Sequence, residues 1–233
     1  HWFLDVLQKL EFINQSRDQI LSSKLKIILP NGHENSYSKK SLEAFDLNFY
    51  YQGKNEIIIS DKSILLPDVA PTGNYRKNLV LKLGKKMREH WISKKKINLD
   101  KKRIYISRNN SKKRKLKNEH KIIPILKKYG FAIVDFDKLN FEKQLEYVLN
   151  SDILVSAHGA GLTHMLWMKQ KSKILEIRAR DNYYDNCYYT LASDLGHDYF
   201  YVIADKTDLK KSNHLSDLVI NTDHFSSELV KML

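Results

Sequence analysis

Cysteine is almost missing from this chain of 233 residues: Cys187 stands alone. That excludes an internal disulfide and any metal site built from several thiolates, and it fits a reducing, cytoplasmic compartment. Long apolar runs are also missing. No stretch approaches the roughly 20 residues needed to cross a bilayer, and no signal peptide is recognisable. The chain opens on His1 rather than methionine, so a fragment is expected, with an anchor or domain upstream. Repeats and low-complexity segments are absent apart from lysine clusters. Acids are scarce in one region: residues 76–128 carry 21 Lys and Arg against Glu89, Asp100 and Glu119, a local charge of +18 within a total of +13. Such a block calls for an anionic partner or forms a solvated lysine face. With 42% hydrophobic and 29% charged residues, the chain is otherwise an ordinary globular protein of one large or two modest domains.

The first hundred residues read as a small α/β unit. Phe3, Leu4, Leu7 and Leu10 recur at helical spacing, and His1 and Asp5, four apart, share a helix face. Lys24 to Leu29 is a strand candidate stopped by Pro30-Asn31-Gly32. Ser38 to Tyr50 is expected to be a helix, with Glu56–Ser60 and Ser63–Leu66 as further strands. Arg76–Lys96 is the strongest helical pattern: Leu79, Leu83, Met87 and Trp91 fall four apart, opposite a basic face. Its position suggests a connector.

From residue 102 the pattern is regular. Strands are expected at Arg103–Ser107, Phe131–Phe136, Ile153–Ala157, Lys173–Ile177 and Tyr199–Ala204. Helices are expected at Asn118–Tyr129, Phe141–Asn150, Leu162–Lys169 and Tyr184–Leu195. Such alternation implies a parallel sheet covered on both faces.

The stretch Ile153 to His164 organises this half. An apolar strand ends at His158, and Gly159-Ala160-Gly161 forms a turn with almost no side chain. Leu162 then begins a helix. A strand end, a bare turn and a helix N-terminus form an anion site, and small residues let a phosphate reach the backbone. Arg108 ends the strand before, and Arg114 follows in its loop. Guanidinium forks match phosphate oxygens in pairs, so the two arginines converging on His158–Gly161 would clamp a diphosphate without a metal. Glu176, late in its strand, is a candidate to hold ribose or sugar hydroxyls, or else to pair with Arg178 or Arg180. Asp135 and Asp137 have the spacing of a carboxylate metal motif, but two loop acids need no ion and no metal is expected there. Tyr183, Tyr184, Tyr188 and Tyr189 are candidates for stacking on a sugar or base, or for core and cap positions. Cys187 has no base beside it in sequence and reads as structural.

Taken together, Arg103-Ile-Tyr-Ile-Ser-Arg108, Arg114 before Asn118-Glu119, Tyr129-Gly-Phe131, Phe141 with Gln144, His158-Gly-Ala-Gly-Leu-Thr163 and Ile174-Leu-Glu-Ile177 resemble glycosyltransferase family 61. The opening His1-Trp-Phe-Leu-Asp5 resembles that family's H-F-x-x-D helix. The clear match covers about residues 102 to 205. His164 departs from it, since the family usually has asparagine there.

The resemblance implies an α/β architecture of two Rossmann-like halves facing across a cleft (GT-B-like). Residues 1–75 would be an incomplete acceptor-side half, 76–97 the connecting helix, and 98–233 the nucleotide-sugar-binding half. It also implies inverting transfer of a sugar from a nucleotide-sugar donor, usually UDP-linked, to a glycan or lipid-linked acceptor, with no cofactor and no metal. Arg108, Arg114, Asn118, Glu119, His158, Gly159, Ala160, Gly161 and Glu176 are the expected donor-binding residues. Preorganised positive charge there would take up the charge of the leaving diphosphate. Asp5 is the expected general base, with His1 as partner or substitute, and His158 the third catalytic candidate. The Lys-, Asn- and Ile-rich composition suits a bacterial member acting on a surface polysaccharide. The basic face of Arg76–Lys96 would then dock on the acidic inner membrane. The rival is a basic polyanion-binding protein without transferase activity, but no nucleic-acid motif is present and the aromatics do not interleave with the lysines, so nucleic acid is not the expected partner.

Overall fold

A computed structural model describes residues 1–15, 26–32, 35–71, 73–95 and 102–233. The fold is α/β. Its centre is a six-stranded sheet made of β3 (Lys102–Ile106), β4 (Phe131–Val134), β5 (Ser151–Ala157), β6 (Lys173–Ala179), β7 (Asp198–Lys206) and β8 (Leu218–Ile220), in the spatial order β4-β3-β5-β6-β7-β8. The neighbours pair parallel except β7 and β8, which are antiparallel. The sheet is therefore mixed rather than wholly parallel, because a short strand and a helix missing from the sequence reading close its edge.

Side chains alternate across this sheet as its pleat requires. Ile104, Ile106, Leu154 and Ile174 enter one core, while Tyr105, Ile153, Val155, Leu175 and Ile177 enter the other. Glu119–Lys128 and the final helix, Thr222–Met232, cover the second face through Ile122, Leu126, Phe225 and Leu229. Phe141–Leu149 and Cys187–Leu195 cover the first. Both faces are thus buried, as a largely parallel sheet demands.

The N-terminal elements join the first core. A π-helical turn, Trp2–Val6, runs into α1 (Leu7–Gln15). Trp2, Leu4, Leu7 and Leu10 share one apolar cluster with Val80, Leu83, Met87 and Trp91 of the helix Lys77–Lys95, and with Phe141 and Trp167. That helix does more than connect. Gly84 sits against the segment after β5, where a Cβ would meet the Leu166 carbonyl oxygen at 2.6 Å. Ile27–Leu29 (β1) and Phe49–Tyr51 (β2) form a separate two-stranded parallel sheet.

Three local expectations are corrected. The helix Ser36–Leu42 stops before Phe49, which lies in β2. Phe45 and Phe49 fit a helical spacing, but a short apolar run is equally a strand, and pairing with β1 decides. Residues 56–66 form no strand: Ile57, Ile59 and Leu65 are exposed and pair with no strand among the described residues. The segment expected as the helix Leu162–Lys169 is a 3-10 helix, Ala160–Trp167. Residues 24–25, part of the expected first strand, 96–97 of the connector and 98–101 at the start of the expected nucleotide-sugar-binding half lie outside the described residues.

Candidate active site

The strand order reverses at β3: β4 lies on one side of it and β5 on the other. A crevice forms at such a switch point, outside the carboxyl ends of the strands, and ligands bind there. The loop after β3 carries Arg108 and Arg114, and β5 ends at His158, so both expected halves of the anion site flank this crevice.

The arginine loop is held from below and from the side. Glu119 opens its helix buried, and its carboxylate accepts from Tyr105 Oη at 2.7 Å, Ser107 Oγ at 3.0 Å and the Arg108 N–H at 3.4 Å. Burial, then the Glu119 charge, pushes the Tyr105 phenol well up. Asp135 accepts from Asn110, and Asp137 from Ser111 Oγ at 2.8 Å. These two aspartates therefore fasten the loop. Asn118 uses its amide on the Ile220 backbone, donating to the carbonyl at 2.8 Å and accepting from the N–H at 3.1 Å. Expected as donor-binding residues, Glu119 and Asn118 serve here as supports.

The two guanidinium groups meet at the bare turn. Arg114, with φ of 59°, donates to the His158 carbonyl at 3.0 Å. Arg108 lies over Gly159, where a Cβ would stand 2.7 Å from its Nη1. Arg108 Nη2 donates to the Lys113 carbonyl at 3.1 Å. The Nε atoms of both arginines are buried without a partner, and among the described residues no carboxylate lies within salt-bridge distance of either. Burial, then the neighbouring Arg114 charge, lowers the Arg108 pKa. Two cations are thus packed together with unused donors, an arrangement that an anion with several oxygens relieves. The 3-10 segment that follows leaves its first N–H groups without helical acceptors, so the turn keeps free backbone donors although it opens no α-helix. Gly161 lets it approach β3: a Cβ there would meet Ile106 at 3.3 Å.

His158 is buried and gripped on both nitrogens. Nδ1 donates to Glu176 at 2.5 Å, and Nε2 faces Asp185 Oδ2 at 2.9 Å. Glu176 is 1% exposed and also accepts from Tyr199 Oη. The expected role of Glu176, holding sugar hydroxyls in the cleft, is corrected: both oxygens are taken inside the fold, and it orients His158. Nor does it pair directly with Arg178. Arg178 Nη2 instead donates to the carbonyls of Asn182 at 2.7 Å and Asp185 at 2.9 Å, and Nη1 donates to Tyr199 Oη at 3.4 Å. A closed ring results, from His158 through Glu176, Tyr199 and Arg178 to the loop that returns Asp185 to His158.

Cys187 is not isolated. Its sulfur lies within 4.8 Å of an Asp185 carboxylate oxygen; burial and then Asp185 raise its pKa. Burial alone would raise the Asp185 carboxyl, but Cys187 and the neighbouring His158 ring outweigh it and bring it below its ordinary value. Tyr188 is buried with its ring edge-on to His158 at 5.0 Å, whereas Tyr183 and Tyr184 are exposed. Beyond Asp185, a cavity of about 580 Å³ is lined by Asp181, Asn182, Tyr184, Lys206 and His214, among others.

His1 Nδ1 and Asp5 Oδ2 are 2.6 Å apart, with Asp5 partly covered. The His1 carbonyl accepts from the Asp5 N–H at 2.7 Å and from the Val6 N–H, which closes the π-turn, at 3.4 Å, and this places the pair. Phe3 on the same turn packs on Phe141 at 5.3 Å, Trp167 at 5.5 Å and His164 at 5.9 Å, which seats it against the 3-10 segment beyond the glycine turn. The Tyr75 phenol is raised first by burial, then by Cys187, Asp5 and Asp185.

A sequence model of the Glycosyltransferase 61 family matches residues 1–175, from the His1–Asp5 turn through the arginine loop and the glycine turn to β6. The chain belongs to that family. Among curated proteins it is similar to the EGF domain-specific O-linked N-acetylglucosamine transferases. With that of Drosophila melanogaster it is 37% identical over 91 residues, 38% of this chain and 17% of the relative. With that of Gallus gallus it is 32% identical over 95 residues, 39% and 17%. The chain thus matches less than a fifth of the length of these relatives.

As a member of the Glycosyltransferase 61 family, the chain shows which site residues its sequence concealed. Asp185, Tyr199 and Arg178 carry the ring around His158 and belong to no motif. The one available signal was the short spacing from Asp185 to Cys187.

Proposed function

We propose that this chain is an inverting glycosyltransferase that moves a sugar from a nucleotide-sugar donor, UDP-linked, to a hydroxyl of a glycan or lipid-linked acceptor. The observation that carries this is the pair Arg108 and Arg114, half-buried side by side over Gly159 at the switch point, with two buried, orphaned Nε groups and no contacting carboxylate among the described residues. Family membership supplies the reaction class. The curated relatives are named for N-acetylglucosamine, so UDP-N-acetylglucosamine is the first donor to try.

The diphosphate sits on the arginines and the free N–H groups of the glycine turn. As the glycosidic bond breaks, charge grows on the leaving phosphate, and these donors stabilise it without a metal. Glu176 fixes the tautomer of His158, so that Nε2 faces the site once Asp185 gives way. The acceptor hydroxyl comes from the side of Tyr75 and Asp5, where Asp5, held by His1, takes its proton. On this reading residues 1–75 belong to the acceptor-side half of a GT-B-like arrangement.

The test is UDP release from UDP-N-acetylglucosamine and other UDP-sugars in the presence of hydroxyl acceptors. Asp5→Asn should lower turnover by about 100-fold or more while leaving UDP binding intact. Wild-type turnover in Asp5→Asn would remove the base from this account.

A further inference from the structure

His158, Asp185 and Cys187 offer one nitrogen, one oxygen and one sulfur, all within 4.8 Å of one another. They come from two segments 27 positions apart that the sequence gives no reason to join. We propose that these three side chains form a binding site for a thiophilic divalent cation, best matched by Zn2+, and that filling it withdraws His158 from the donor site and stops transfer.

The donor set decides the class of ion. A thiolate with an imidazole and a carboxylate suits zinc, whereas magnesium and calcium require oxygen alone. The surroundings are those of a metal-binding histidine. Such a ligand gives its second ring nitrogen to a carboxylate, which fixes the tautomer and points the other lone pair at the ion. Glu176 takes Nδ1 of His158 at 2.5 Å and is itself buried and held by Tyr199. The loop carrying the other two ligands is fixed as well, because Arg178 holds the carbonyls of Asn182 and Asp185 and the Asn186 side chain at 2.7, 2.9 and 3.1 Å. The site is thus preorganised from both ends.

Filling it replaces hydrogen bonds by coordination. The Cys187 sulfur lies within 4.8 Å of the Asp185 and His158 ligand atoms, and His158 Nε2 lies 2.9 Å from the Asp185 carboxylate. Zn2+ takes the place of the thiol proton, which leaves to solvent, and draws sulfur, nitrogen and oxygen to one centre. The fourth position opens to water on the side of the cavity bordered by Asp181, Lys206 and His214, whose ring lies 6.2 Å from that of His158. Binding needs only this constellation. The loss of transfer rests additionally on the proposed glycosyltransferase activity.

Cobalt reports the site directly. Co2+ added to the whole chain should give a thiolate-to-cobalt charge-transfer band with the visible spectrum of a tetrahedral centre, saturating at one equivalent. Zn2+ should displace it and Mg2+ should not. Asp185→Asn should weaken Co2+ binding by at least about tenfold, and Glu176→Gln by about 10- to 100-fold. In the unmutated chain, Zn2+ should protect Cys187 from alkylation, a readout that needs no variant to fold. Zn2+ should stop UDP-sugar turnover reversibly with EDTA, and Cys187→Ser should resist it. Absence of the thiolate band, or alkylation at an unchanged rate with Zn2+ present, overturns the site. A cobalt spectrum without turnover on any donor leaves the site standing and removes the transferase reading instead.

Discussion

Arg108 occupies the space that a side chain on Gly159 would need, since a Cβ there would lie 2.7 Å from Arg108 Nη1. The clashing atom is the end of a flexible side chain, so Gly159→Ala should displace the guanidinium, and at a φ of 159° the alanine also strains the backbone. UDP affinity should fall at least about tenfold, about 1.4 kcal/mol, together with a lower melting temperature. Calorimetric titration beside a thermal melt reads both quantities. Unchanged affinity would show that Arg108 does not meet the donor.

Glu176 and His158 act as a unit. Glu176→Gln keeps the shape but presents an amide where His158 Nδ1 donates at 2.5 Å, which favours the wrong tautomer. Turnover should drop about 100-fold, within the range of acid–base contributions, while KM for the donor changes little. Tyr199→Phe leaves that carboxylate with one partner fewer and should have a smaller effect in the same direction. A fall in donor affinity with unchanged kcat would instead make Glu176 a binding residue.

The convergence of Arg108 and Arg114 on the glycine turn was legible because each part lies at a strand end beside glycine or a helix start, and strand ends can be read from apolar runs. The ring around His158 was not legible. Glu176, Tyr199 and Arg178 meet through contacts 18 to 23 positions apart, and alternation gives a side of the sheet but no partner. The same limit misplaced Phe49 and gave strands to residues 56–66, where Ile57 and Ile59 are apolar but unpaired. The closing strand Leu218–Ile220 was missed although Asn221 caps the next helix, accepting from the His224 N–H at 2.9 Å.

His164 makes stability depend on acidity. It is buried among Phe3, Phe136 and Phe141, and burial lowers its pKa from 6.5 to about 4. The unfolded chain therefore binds the proton first as pH falls. Stability is fully present above about pH 6.5 and is lost progressively down to about pH 4, by about 3 kcal/mol at most. Urea melts across this range should show the slope in the wild type, and His164→Asn, which does not titrate, should be flatter. Equal slopes would mean that the imidazole is not buried neutral.

Gly84 sets the distance between the helix Lys77–Lys95 and the segment after the glycine turn. Alanine is favoured over glycine inside a helix by about 1 kcal/mol. Here its Cβ would meet the Leu166 carbonyl oxygen at 2.6 Å, and a backbone atom cannot swing aside. Overpacking costs about 1–3 kcal/mol and should outweigh the propensity gain. Gly84→Ala is expected to melt at a lower temperature, whereas a rise would show that the two segments separate easily.

The most direct test of the clamp is a calorimetric titration with UDP in EDTA, on the wild type, Arg108→Ala, and Arg108→Ala with Arg114→Ala. Hydrogen bonds to charged groups contribute about 1.5–3 kcal/mol each. Saturable binding that EDTA does not weaken should therefore fall about 10- to 100-fold with the first substitution and vanish with both. UDP binding that disappears in EDTA, or survives the loss of both arginines, would contradict the metal-free diphosphate site at its centre.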